Sequence, residues 1–162
     1  MDIPAVYLSG PIDGLTFREA TGWRNFAADE LGDLCQILDP MRDVEVEDPD
    51  APLTASVEDS ATVWSCDRAM MTDRGLVARD HHDTCRSTVV VVNLLGAKKR
   101  SIGTITEIAW AWHERIPTVV IMEPDGNTHE HPFIRVMTDY RVDSIERAVQ
   151  VVRSLLGTPP WS

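Results

Sequence analysis

Four consecutive valines in "TVVVVNLL" (88–95) constrain the fold of this chain more than any other feature. A strand half-exposed to water would alternate apolar and polar residues, whereas an unbroken valine run suits a strand buried on both faces of a parallel sheet. Two further apolar runs read the same way, "AVYLS" (5–9) and "PTVVIME" (117–123), with shorter strands at "QILD" (36–39) and "YRV". Between them lie amphipathic stretches with helical spacing. In 17–32 the periodic positions are Phe17, Ala20, Trp23, Phe26, Ala27 and Leu31, closed by Gly32. Residues 57 to about 83 suggest one helix, or two broken at Gly75, and 104–115 reads as another. A last helix spans about Ser144 to Leu156, with Ile145, Ala148, Val149, Val152 and Leu155 as its buried stripe. The acidic, proline-containing "MRDVEVEDPDAPLT" and the later "PDGNTHEHP" read as loops. Such alternation predicts one doubly wound, flavodoxin- or Rossmann-like α/β domain over 1–162, with a mostly parallel sheet of about five strands.

Ligands of doubly wound sheets bind beyond the carboxyl ends of the strands. That rule selects "GPIDG" after the first strand, the Asp39–Arg42 loop, "NLLGAKKRSIGT" after the valine run, and "EPDGNTHEHP". A net charge of -11 argues against a nucleic-acid polymer as partner, because no basic surface is evident beyond Lys98, Lys99 and Arg100. Three widely spaced cysteines with no CxxC pair support neither a zinc ribbon nor a redox motif. No signal peptide or bilayer-length apolar run is seen, so a soluble cytoplasmic protein without membrane attachment is expected.

Several residues carry candidate chemistry. Thr104 and Glu107 stand three apart, a capping-box spacing at a helix start. Glu107 is thus either a cap or a carboxylate held ionised by the helix dipole, able to attack an anomeric carbon. Gly103 lets a sugar approach the backbone, and Tyr7, Gly10 and Asp13 stand where the first strand opens towards a ligand. The Asp80-His81-His82-Asp83 cluster, with His129 and His131, raises a metal reading. Adjacent helical residues point in different directions, which disfavours it, and Asp80 is better motivated as a general acid or hydrogen-bond partner.

Taken together, "VYLSGPIDG", the "RD" before "TVVVVNLLG", "SIGTITEIAWAW" and "IPTVVIME" resemble the nucleoside 2-deoxyribosyltransferase superfamily in order and spacing, over roughly residues 5 to 156. The resemblance implies exchange of the nucleobase of a 2′-deoxynucleoside for a free base by retaining double displacement, with no metal or organic cofactor. Glu107 would be the nucleophile, Asp80 the carboxylate that binds and protonates the leaving base, and Tyr7 the hydroxyl that orients Glu107. Gly10, Asp13, Asp39, Ser101 and Gly103 would contact substrate. The resemblance also implies a homo-oligomer in which a neighbouring subunit helps close each site; the "GNTHEHP" loop, whose length differs from the family's, is the candidate for that contribution, with Asn127, His129 and His131 as polar contacts to the sugar.

Ser101 departs from the transferase pattern, which carries an aspartate six residues before the nucleophile. Members that hydrolyse 2′-deoxynucleoside 5′-monophosphates resemble this chain there, and a serine can donate to a phosphate that an aspartate would repel. Asp13 pulls the other way, since a carboxylate beside a phosphate is unfavourable. A transferase is the expected activity, with the 5′-monophosphate N-glycosidase as the first alternative. A non-catalytic nucleotide-binding module, in which Glu107 only caps its helix, is the second.

Overall fold

The valine run forms the centre of a five-stranded, wholly parallel sheet in the computed structural model, which describes residues 3–58, 63–64 and 66–157. In chain order, β1 is Ala5–Ser9, α1 Phe17–Leu31, β2 Gln36–Leu38, β3 Val44–Glu45 and β4 Val63–Trp64. A 3₁₀ turn at Arg68–Met70 leads to α2 (Asp73–Arg86), β5 (Val89–Asn93), α3 (Ile102–His113) and β6 (Thr118–Ile121). The chain ends in α4 (Pro132–Met137), β7 (Tyr140–Val142) and α5 (Ile145–Leu155). The sheet runs β2-β1-β5-β6-β7, a doubly wound order whose direction of growth reverses between β1 and β5.

Alternate valines of β5 serve opposite cores. Val90 and Val92 pack with Tyr7, Val120, Ile108 and Ala111 beneath α3. Val89 and Val91 pack with Val6, Leu8, Val119 and the stripes of α1 and α5, including Ala27, Leu31, Val149 and Val152. The three inner strands β1, β5 and β6 thereby hide both faces, which is why their sequences show no alternation, whereas the edge strands β2 and β7 stay partly exposed. Among the described residues no helix is long and apolar enough to cross a membrane.

Several sequence expectations are corrected. The segment 57–83 is not helical throughout: α2 starts only at Asp73, where the Thr72 side chain accepts from the Gly75 amide. Gly75 therefore lies in the first turn and breaks nothing; a Cβ there would stand 2.7 Å from the Met70 carbonyl oxygen. Residues 59–62 and 65 of that expected helix lie outside the described residues. The acidic loop after β2 contains β3, paired antiparallel with β4. A short helix, α4, follows the "PDGNTHEHP" loop where none was expected, with Pro132 opening it and His131 capping it. The largest correction concerns α3, which begins two residues earlier than its spacing suggests: Ser101 is the N-cap and accepts from the Thr104 amide at 3.3 Å. Glu107 consequently sits in the second turn, too far along to form a capping box with Thr104.

Candidate active site

The β1 strand alternates faces, so Tyr7 and Ser9 project together under α3, and both meet Glu107 there. The Tyr7 hydroxyl donates to Glu107 Oε1 at 2.8 Å, and the Ser9 hydroxyl donates to Oε2 at 2.5 Å. Each carboxylate oxygen is thus fixed by one donor, and the side chain is 7 % exposed. The sequence expectation that Glu107 is held firmly ionised is corrected. Burial, reinforced by the Asp80 carboxylate, pushes it up to about 7 against the pull of its two donors and of Arg24. Burial and the negative charge of Glu107 also hold the Tyr7 hydroxyl protonated, well above its ordinary range.

Glu107 opens on a cavity of about 290 Å³ at the carboxyl end of β1. Gly10, Asp13, Asp80, Ser101 and Gly103 line it, beside an apolar wall that includes Met41, Val44, Leu53 and Leu76. Asp80 reaches it from α2. Burial lifts its carboxyl to about 6, opposed mainly by Arg79, whose guanidinium lies 3.3 Å away and also donates to the Pro40 carbonyl. Two carboxyls of raised proton affinity therefore face one apolar space, an arrangement that can hold a nucleophile and a proton donor side by side.

Gly10 has a steric reason to be glycine. A Cβ there would lie 3.0 Å from the Asn93 carbonyl oxygen and 3.1 Å from the Trp23 ring. Gly103 differs, because a Cβ there meets nothing within 4 Å. Its freedom is towards the cavity. Asp13 is turned aside: it accepts from the Ala55 amide and pairs with Lys99 at 2.5 Å, which lowers its proton affinity.

Not all expected residues gather here. Asp39 stands behind the wall, accepting from the Met41 amide at 2.8 Å. Asn127 is occupied inside its own loop, donating to the Leu94 carbonyl at 2.8 Å and to Glu123 at 2.6 Å. His131 caps α4 and stacks on Phe133. Within one chain neither Asn127 nor His131 lines the cavity. His129 is buried, and its Nε2 accepts from the Ser101 amide at 2.9 Å, while burial keeps the ring neutral. It thereby holds the start of α3. His81 lies edge-on to Trp110, and Asp83 sits between Arg42 and Arg86. Among the described residues, no three His, Cys, Asp or Glu side chains gather as a metal-binding group.

Ser9 and Arg24 escaped the sequence reading. Ser9 follows Tyr7 by two on a strand, so period-two alternation marks it. Arg24 sits on the buried stripe of α1 with Ala20, Ala27 and Leu31, where a charge is out of place.

No protein-family model matches the chain, and no curated protein matches it. Solved structures do share its fold. A conserved protein from Enterococcus faecalis V583 superposes with a TM-score of 0.62 at 15% identity, covering 94% of this chain and 99% of that one. The molybdenum cofactor binding protein of the phototrophic bacterium Rippkaea orientalis gives 0.61 at 18% identity, over 96% and 99%. The CMP N-glycosidase BcmB of Clostridium botulinum gives 0.57 at 12% identity, over 93% and 98%. At these identities the likeness establishes architecture, and one architecture hosts unrelated functions. The class that fold and cavity define is a doubly wound α/β protein with a paired-carboxyl pocket at the sheet's switch point.

Proposed function

We propose that the protein is an enzyme that breaks the N-glycosidic bond of a 2′-deoxynucleoside and passes the deoxyribosyl group to a free base. The observation that carries this reading is Glu107 itself, a buried carboxylate fixed through both oxygens by Tyr7 and Ser9 and aimed into a largely apolar cavity. A structural cap has no need of such donors, and a cap position is excluded by the start of α3 at Ile102. The fold shared with a CMP N-glycosidase supports the same bond type.

In the proposed reaction Glu107 attacks C1′ from the face opposite the base, forming a glycosyl ester as the C1′–N bond breaks. The electron pair of that bond leaves with the base, and Asp80 supplies the proton the base needs. An incoming base then attacks C1′, gives its proton to Asp80 and releases Glu107, so configuration at C1′ is retained. Met41, Val44 and Leu53 provide a dry surface for a planar base. The protein is further proposed to be a homo-oligomer in which a neighbouring copy covers the cavity. Its outward apolar residues Ile102, Trp112, Phe133 and Val136 are the surface available for that.

Specific observations favour a second reading, hydrolysis of a 5′-monophosphate. Asp13 is neutralised by Lys99, which removes its objection to a phosphate. The start of α3 lines the cavity, and the amides of its first two residues, Ile102 and Gly103, have no partner within the helix. A chromatographic assay separates the two, using deoxyinosine and deoxyinosine 5′-monophosphate, each with and without adenine. Deoxyadenosine formed from the free nucleoside supports transfer. Base release from the monophosphate alone, indifferent to adenine, supports hydrolysis, and no turnover of either leaves a binding module.

A further inference from the structure

Arg24 is wholly buried, 0% exposed, in a chain whose other arginines mostly reach solvent. No ordinary helix would place a guanidinium on its core stripe without a use for it. Its Nη2 donates to the Gly10 carbonyl at 3.1 Å, its Nε to the Leu8 carbonyl at 3.4 Å, and its Nη1 to the Ala20 carbonyl. The same Nε lies 3.4 Å from Asp39, at the end of β2, and the guanidinium stacks 4.6 Å above the Trp23 ring. One side chain thus ties α1 to the carboxyl ends of β1 and β2. The loops that leave those ends, through Gly10-Pro11-Ile12-Asp13 and Pro40-Met41, form one wall of the cavity. Between the Leu8 and Gly10 carbonyls that Arg24 holds is Ser9, whose hydroxyl grips Glu107.

We propose that Arg24 is a positioning residue of this site: it sets the wall formed by the β1 and β2 loops, and it is the buried positive charge that balances Glu107 from across β1. This inference rests on the reading of Glu107 as the nucleophile. The charged and titratable groups around Glu107 are Tyr7 and Asp80 on its own side and Arg24 beyond the strand. Around Arg24 they are Asp39, Glu107, Tyr7 and Asp80. Arg24 lowers the proton affinity of Glu107, opposing burial and the Asp80 carboxylate, and its removal takes that pull away.

Two variants separate the roles. Arg24→Lys keeps the charge but cannot reach both β1 carbonyls and Asp39, so KM should rise about tenfold or more with kcat and the alkaline limb of the kcat/KM profile little changed. Arg24→Met removes the charge as well, and the alkaline limb, which follows Glu107 as the higher-titrating carboxyl, should move to higher pH by half a unit or more. A wild-type KM in Arg24→Lys, or an unmoved alkaline limb in a folded Arg24→Met, would overturn the proposal. If Arg24→Met does not fold, the lysine variant decides alone. A readout without turnover keeps this separate from the enzyme reading: urea unfolding at pH 8 of Glu107→Gln in wild-type and Arg24→Met backgrounds. Coupling is expected, with Glu107→Gln raising the urea midpoint more when Arg24 is absent. Strict additivity would mean that Arg24 is only structural, whatever substrate the protein takes.

Discussion

At the scale of single residues, the site keeps Glu107 where its charge is costly. Its carboxyl is lifted from 4.5 to about 7 on folding. Below about pH 4.5 it is protonated in both folded and unfolded chains and costs nothing. As pH rises the unfolded chain ionises first, so stability is lost progressively until about pH 7, and the full cost persists above it. Glu107→Gln should therefore stabilise the fold at pH 8 by on the order of 2 kcal/mol while changing it little at pH 4. Urea unfolding at the two pH values checks this, and the same variant should show no turnover. Tyr7→Phe leaves one carboxylate oxygen without its donor and should lower kcat/KM by about 10–100-fold, with its alkaline limb moved upward.

The two carboxyls also set the pH profile. Asp80 and Glu107 titrate at about 6 and about 7, so between those values the pair holds a single proton. That proton rests mostly on Glu107, and the productive arrangement, with Glu107 ionised and Asp80 protonated, is its minor alternative within the same one-proton form, so kcat/KM should peak there and fall on either side. Asp80→Asn should abolish the alkaline limb and reduce the rate by about 10²–10⁴-fold. A plateau from pH 6 to 9 in the wild-type protein would contradict the pairing.

Among the elements, α3 teaches most about what a sequence discloses. Its existence was legible from Ile105, Ile108 and Trp112, but its start was not, because Thr104 and Glu107 imitate a capping box. The true cap, Ser101, is selected by a contact from 28 residues later in the chain, its amide bonding to His129. Local spacing cannot see that. The stripe of α1 was legible at Ala20, Ala27 and Leu31, but Phe26, expected in it, is exposed, and the charge within it was overlooked, since the long-range carbonyls that accept from Arg24 are visible only once β1 and β2 are aligned. The expected helix over 57–83 failed for a similar reason: Asp73 binds Ser56 and Val57, holding the preceding chain away from helical geometry. Gly103 offers a test at this scale. Because a Cβ there meets nothing, Gly103→Ala should leave stability unchanged or raise it by about 1 kcal/mol. If the sugar lies against it, KM should rise several-fold, which thermal melting and steady-state kinetics together would separate.

For the molecule as a whole, the parallel sheet was readable in the valine run, because burial on both faces leaves so direct a mark on a sequence, and its five strands in the five apolar runs. The cavity was readable only as a set of loops at the strand ends. Asn127 and His131 fall outside it in a single chain; Asn127 is buried with both ends of its amide already bonded, so only the exposed His131 is left for a neighbouring copy to bring to a substrate. On the outer surface, α2, α3 and α4 pack side by side. Ile102 is 82% exposed there, and Val77, Trp112, Phe133 and Val136 are each more than half exposed. On the proposed reading these exposed apolar residues supply the contact between copies, against the mutual repulsion of chains of net charge -11. Sedimentation should show a dimer or larger at micromolar concentration, and Phe133→Glu should shift it towards monomer by tenfold or more in Kd. A monomeric wild-type protein that turns over substrate would remove the neighbouring copy from the account.

The central claim is that Glu107 becomes covalently linked to a sugar. Intact-mass measurement after brief exposure to a deoxynucleoside without acceptor base, followed by peptide mapping, tests it directly. The account predicts one added deoxyribosyl mass on the peptide containing Glu107, lost on addition of free base and absent from Glu107→Gln. Turnover with no adduct at Glu107, or an adduct that persists in Glu107→Gln, would contradict it.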